Sequence, residues 1–413
     1  MTAEIGLLNK NGIALAADSA VTIGGGIGYY NTVNKLFSLS KYEPVAVMIY
    51  SNASLMGYPL EILIKEYRKK LGKKSFCYLN EYWDDFVSYL KEFFNTDGNN
   101  INYKKYYYGE IISVLESIND KINNEIKILP ADIDPQSSEF KEKIIAIIEN
   151  QIREIHDNFK AFDDDVIYAK NESAIRSECE DDIIQLINDF FGVPLQEETI
   201  RKLVDISIMI LTKNHGLGNY TGIVISGYGE KDIYPKLISG NFYGAYFNDL
   251  KYSIIDNISI NDENRAAIMP FAQKDVVETF LNGYDINLIV DLLNTINENV
   301  ENEEIIEKVI DTVKEKSNEY HTRAINNTVS VAPKEELAHM AETLVNLTSF
   351  RRKLALDDFS QTVGGPIDVA LITKGDGLVW IKRKLYFDRD LNYNFYNNYF
   401  KERIDYEYSG NKE

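Results

Sequence analysis

The element order written in this sequence predicts an α+β sandwich, two sheets with helices outside them. Three observations predict it. A strand pair opens the chain, further strand pairs lie after residue 220 and near 364–387, and long stretches of helical periodicity separate them.

Residues 3–9 (AEIGLLN) and 12–18 (GIALAAD) read as two strands joined at Lys10-Asn11-Gly12, because Asn-Gly supplies the positive φ that a tight hairpin takes. The Gly-rich stretch from Ile23 to Gly28 lacks the Lys-Ser/Thr of a phosphate-binding loop, so it reads as a flexible loop. NKLFSLS (34–40) and PVAVMIYS (44–51) follow as strands, the second an apolar run suited to a sheet buried on both faces. Apolar spacing then predicts a helix over 53–71, with basic residues in its last turns where the helix dipole favours them.

From about 73 to 215 apolar residues recur at intervals of three and four with acidic residues between them, which predicts a helical block. Strands return over 220–244 as a second hairpin with Gly229 between its runs, and 265–285 passes from strand to helix. Residues 285–325 are acidic and helical, and Pro333 precedes another helix, a position where proline is tolerated. A strand, a Gly-Asp-Gly turn and another strand occupy 364–387. The chain therefore divides into a first core segment (1–72), a helical insertion (73–215), a second core segment with extra helices near 285–330 (216–387), and a peripheral tail (388–413).

The 413 residues, 45% of them hydrophobic, suffice for a sizeable core. A net charge of −20 repels phosphate backbones and anionic headgroups, which argues against nucleic-acid and membrane partners. The two cysteines, Cys77 and Cys179, form no CxxC pair, and their helical, polar surroundings fit a reducing compartment. With no secretory leader and no apolar run of about 18 residues, the expected location is the cytoplasm. His156, His215, His321 and His339 show no metal-ligand spacing, so no metal is expected, and no cofactor is expected because one residue, Thr2, can carry both nucleophile and base.

Chemistry points to the start of the chain. Removal of Met1 would make Thr2 a residue carrying both a hydroxyl nucleophile and a free α-amine, which has an ordinary pKa of about 8 and can act as general base. A nearby cation would favour that state, and a carboxylate would hold the cation. Asp18, at the end of the second strand, and Lys35, at the start of the third, are the candidates.

T-x-x-x-G at Thr2–Gly6, NGIALAADSAVT at 11–22, NKLFSL at 34–39, the stretch 224–244 and VGGPIDVALITKGDG at 363–377 resemble the proteasome β-subunit family and bacterial peptidases related to it. The likeness covers about 1–72 and 220–384, in the family's order. It implies a four-layer αββα sandwich, the N-terminal nucleophile hydrolase fold, here with a large helical insertion. It also implies a threonine-type peptidase acting on peptides or unfolded protein, a homo-oligomeric ring, and an ATPase or regulatory partner. By resemblance Thr2, Asp18 and Lys35 are catalytic, Val21 and Thr22 bind substrate, and Ile49 or Tyr50 occupies the oxyanion position. The family's Gly-Ser-Gly falls on Phe271-Ala272-Gln273, without its hydroxyl. Its later Asp and Ser fall on Ser360 and Val363, with Asp357 and Asp358 close by. Two alternatives follow from the departures: a catalytically inactive ring-forming or scaffold protein, and an amidase of the same fold acting on small molecules.

Overall fold

Residues 3–23, 28–96, 102–128, 137–192, 195–214, 218–299, 303–354, 364–385, 387–388 and 390–394 are described by the structure, a computed structural model. They divide into two units, Met1–Met48 with Ser226–Lys236 and Ser259–Glu413, and Ile49–Ile225 with Leu237–Ile258.

In the first unit β1 (Glu4–Asn9) and β2 (Gly12–Ala17) form the expected hairpin, with Asn9 opposite Gly12. Its turn differs from expectation: none of Lys10, Asn11 and Gly12 has a positive φ. Glycine is required at 12 for another reason, since a Cβ there would stand 2.7 Å from the Ile372 carbonyl oxygen. The short β3 (Val21–Ile23) and β4 (Gly28–Tyr30) pair with each other, and β5 (Leu36–Ser38) pairs antiparallel with β6 (Val45–Ser51). The strands β12 (Ala266–Ala272), β13 (Asp368–Thr373) and β14 (Gly377–Lys382) complete a five-stranded sheet in the order β12-β1-β2-β13-β14.

Helices α7 (Lys274–Asn282), α8 (Ile286–Asn299), α9 (Glu303–Ser317), α10 (Arg323–Val331) and α11 (Lys334–Leu354) belong to the same unit. Alternate strand residues, Ile5 and Leu7, Ala14 and Ala16, Val369 and Leu371, meet Leu337, Ala341, Leu344 and Val345 of α11 in one buried cluster. The strand period of two and the helix spacing of three and four therefore converge on a single core. Each large apolar side chain buried there contributes about 1.5–3 kcal/mol. The fully buried Asn9 anchors the end of α10: its side-chain amide donates to the carbonyls of Val329 (2.7 Å) and Ala332 (2.9 Å).

The second unit holds α1 (Leu60–Leu71), α2 (Leu79–Phe94), α3 (Tyr103–Ile128), α4 (Ser138–Ala161), α5 (Glu172–Phe191) and α6 (Glu197–Thr212). The helices α3, α4, α5 and α6 pack on one another. Its strands include β7 (Ser54–Leu55), β8 (Tyr58–Pro59), β9 (Thr221–Gly227), β10 (Lys236–Tyr246) and β11 (Asp249–Ser259). The strand β11 was not expected, and neither was its turn, in which Phe247 and Asn248 take positive φ of 48° and 64°. A second five-stranded sheet has the order β11-β10-β9-β6-β5, and β3-β4 and β7-β8 form two-stranded ladders.

The expected four-layer αββα sandwich is corrected by this architecture. The described residues form eleven α-helices, two five-stranded sheets and small two-stranded ladders. A four-layer sandwich gives its helices to two layers covering sheets, whereas α3 to α6 bury their apolar stripes in each other. Cys179 is buried in α5, while Cys77 precedes α2 outside any helix, and both thiols are free. No helix of the described residues is long and apolar enough to cross a membrane.

Candidate active site

The sheet of the first unit ends β2 at Ala17, and the next residue, Asp18, is fully buried. Its position is fixed from several sides. The Asp18 amide donates to the Ala3 carbonyl at 3.0 Å, and the Ala3 amide donates back to Asp18 Oδ1 at 3.1 Å. The Gly364 amide donates to Oδ2 at 3.0 Å. Neighbouring Ser19 is tied in turn to the Gly364 carbonyl through its amide (3.3 Å) and to the Pro366 carbonyl through its hydroxyl.

Two glycines with positive φ, Gly364 and Gly365, form this approach. Gly365 has a φ of 78°, and a Cβ on it would lie 2.9 Å from that of Asn31. Gly364, with a φ of 155°, supplies the amide that reaches the carboxylate.

Lys35, immediately before β5, is 3% exposed and donates to Asp18 Oδ1 at 2.6 Å. One carboxylate oxygen is shared by an ammonium and by the Ala3 amide, the peptide nitrogen that follows Thr2 in the chain. A buried ion pair persists only when further hydrogen bonds satisfy its groups, and Asp18 accepts three. Lys35 has one acceptor among the described residues.

Glu4, the first residue of β1, is 2% exposed. Neither carboxyl oxygen has a hydrogen-bond partner among the described residues. Burial pushes its pKa well above the ordinary carboxyl value, with the Lys35 charge opposing that rise and Asp18 adding to it. Its partner in β12 is Ala272 and in β2 Ala17, neither of which offers a hydroxyl.

The structure joins two of the expected catalytic residues, Asp18 and Lys35, in one pair; Thr2 lies outside the described residues. Val21, half-buried, and Thr22 lie in β3, opposite Tyr30 and Tyr29. Ile49 is buried in the part of β6 assigned to the second unit, as is Tyr50, whose hydroxyl donates to Asn241 Oδ1 at 2.9 Å. Gly24–Gly26, His215, Asp357, Asp358, Ser360 and Val363 fall outside the described residues. Among the described residues no group of His, Cys, Asp and Glu is placed to hold a metal ion.

Sequence reasoning missed Glu4 and the donor role of Gly364. A single acidic residue heading an apolar strand, EIGLLN, was the available signal for the first. The second needed the fold, because 346 residues separate Gly364 from Asp18.

No family model matches the chain, and no curated protein matches it. Similar solved structures include Anbu from Hyphomicrobium sp. strain MC1, 10% identical over 99% of this chain and 98% of that one, with a TM-score of 0.30. The helical assembly of the Anbu complex from Pseudomonas aeruginosa is 9% identical over 98% and 95%, with a TM-score of 0.30. Anbu (ancestral beta-subunit) from Yersinia bercovieri is 9% identical over 97% and 96%, with a TM-score of 0.28. The expected resemblance to the proteasome β-subunit family is corrected by these findings, since the similar structures are Anbu proteins, a distinct family, and no family model supports the former. None of these titles states an activity.

Proposed function

We propose that this chain is an amide hydrolase whose nucleophile is the hydroxyl of Thr2, exposed as the N-terminal residue by removal of Met1. One observation carries this reading: Asp18 Oδ1 holds both the Lys35 ammonium and the Ala3 amide, so a buried cation is anchored at the peptide bond that joins Thr2 to Ala3. A cation there stabilises a developing alkoxide and disfavours protonation of the adjacent amine.

The chemistry then closes on one residue. The Thr2 hydroxyl proton passes to the Thr2 amine as Oγ bonds to the substrate carbonyl carbon. The carbon–nitrogen bond breaks, the leaving nitrogen takes that proton, and an ester on Thr2 remains. Water attacks the ester, gives one proton to the amine, and the amine returns it to Oγ as the acid product leaves. Peptide bonds are the substrate class proposed.

A second reading, an assembly subunit without turnover, is favoured by Ala272, which stands opposite Glu4 in β12 and supplies no hydroxyl to an amine. It predicts a homo-oligomer that forms equally well with Thr2→Ala. Intact mass spectrometry before and after a threonine-directed β-lactone or epoxyketone separates the two. The hydrolase reading expects a chain lighter by one methionine that gains one probe mass on Thr2, and no gain in Thr2→Ala. A chain that retains Met1, or loses it and stays unlabelled, overturns that reading in favour of the assembly subunit.

A further inference from the structure

We propose that the cavity enclosed by α7, α10, α11 and the strands β1 and β12 binds a small amphiphilic amine, a molecule with an apolar body and one ammonium group that Glu336 selects. The site contains none of Thr2, Asp18 and Lys35, and it stands or falls separately from the hydrolase reading.

The cavity has a volume of about 500 Å³. Small-molecule sites run from about 300 to 1,000 Å³ and are mostly apolar, with a few polar groups that orient the ligand. Leu7 and Ile268, opposite each other in the β1–β12 ladder, line it from the sheet. Ile325 and Val329 of α10 and Met340 and Leu344 of α11 line it from the helices. Protein interiors leave few voids larger than a water molecule, so a space of this size needs a cause. The cause is that α10 is held at both ends. A π turn at Asn318–Thr322 precedes it, a rare geometry frequent at functional sites. The hydroxyls flanking that turn are tied to the end of α7, Ser317 donating to the Asn282 carbonyl at 2.7 Å and Thr322 to the Leu281 carbonyl at 3.2 Å. At the other end the Asn9 amide holds the carbonyls of Val329 and Ala332. Fixed there, α10 does not collapse onto α11.

Charge decides the class of ligand. Glu336 and His339, three residues apart on one face of α11, are the titratable groups that line the cavity, and among the described residues no lysine or arginine lines it. Neither side chain has a hydrogen bond or ion pair among the described residues. The nearby lysines are engaged elsewhere, Lys334 with Asp376 and Lys382 with Glu342. An apolar body thus gains from burial against the six aliphatic side chains, and its head meets a carboxylate that lacks a cation. An ammonium donates to that carboxylate and to a neutral imidazole. A carboxylate or phosphate head would be repelled there, which separates this site from one for a fatty acid.

The experiment is calorimetric titration of the full-length chain at neutral pH with decylammonium, decanol and decanoate, each below its micelle-forming concentration. Decylammonium should bind at one site, with decanol weaker by about fivefold, the upper end of what an exposed ion pair supplies, and decanoate weaker than either. Glu336→Gln should remove the preference for the amine over the alcohol. Glu336→Lys should invert the series, so that decanoate binds best. Thr328→Trp and Ala324→Trp, at exposed positions lining the cavity, should each abolish binding of all three by filling the space. Urea unfolding of each variant shows that it remains folded.

Decylammonium that binds without saturating, or equally well to Glu336→Lys, is responding to the chain's net charge of −20 and overturns the proposal. Decanoate that binds the native chain as well as the amine does so too, and makes the cavity a general apolar site. If no probe binds, and Thr328→Trp converts an oligomer to a smaller species in sedimentation, a second copy of the chain covers the opening and the amine site is excluded. None of these results bears on labelling at Thr2.

Discussion

Lys35 and Lys251 are both buried lysines with a carboxylate beside them, one in each unit, and they are built differently. Lys251, 2% exposed, donates to the carbonyls of Leu211 (2.7 Å) and Lys213 (3.0 Å) and to Asp165 Oδ2 (3.2 Å). Its three N–H bonds are used. Two of them go to carbonyls at the C-terminus of α6, which have no partner within the helix and sit at the negative end of its dipole. Lys35 has Asp18 as its acceptor among the described residues, and Asp18 is itself held by two backbone amides. A lysine whose donors are all consumed by backbone and carboxylate ties elements together. Lys35 is held among the described residues by Asp18, and the proposed hydrolase reading gives it a further task at Thr2.

Replacing each lysine tests that contrast, and Lys35 should show the larger effect. Lys35→Met leaves Asp18 as an unpaired buried carboxylate, which costs about 3–5 kcal/mol in stability. Capture of Thr2 should fall by about a hundredfold or more in the fraction that folds, the loss typical of removing a preorganised electrostatic partner. Urea unfolding and intact-mass labelling read the two effects separately. Native labelling in Lys35→Met would break the comparison, because Lys35 would then be a structural tie like its counterpart.

Lys251→Met should lose stability and nothing else. Asp165 is less buried than Asp18 and keeps the amides of Ile167 and Tyr168 on its Oδ1, so its charge is not abandoned. The expected cost is about 1–3 kcal/mol for the carbonyls left without donors, with Thr2 capture unchanged once the chain is folded. A matching loss of capture would mean that destabilisation alone suppresses labelling, and the Lys35 result would have to be corrected for it.

The contrast also shows what the sequence could convey. Asp18 and Lys35 were legible because each sits at the edge of a strand with a clear pattern, GIALAA before one and LFS after the other. The β1–β2 pairing was legible as well, although the glycine at 12 serves close approach to Ile372 and not a left-handed turn. What could not be read was long-range. Gly364 reaches Asp18 across 346 residues, and Asp165, Leu211 and Lys213 reach Lys251 across 38 to 86. No local period encodes such contacts. The αββα layering failed for a related reason: helical periodicity marks an apolar stripe but does not say whether a sheet or another helix covers it, and α3 to α6 cover one another.

The smallest expected effect sharpens the comparison most. Burial raises the Glu4 pKa well above its ordinary value, so between those two values the folded chain holds a proton that the unfolded chain has released. Folding stability must then decline as pH rises through that window, since the native state binds more protons than the unfolded one. Glu4→Gln has no proton to lose. It should match the native chain below about pH 4 and become the more stable of the two above it. Urea midpoints at pH 4, 6 and 8 measure the difference. A gap that stays constant with pH would mean that Glu4 is charged in the folded chain. Lys35 would then serve two buried negative charges, Asp18 and Glu4, and the distinction between the acting lysine and the tying lysine would disappear.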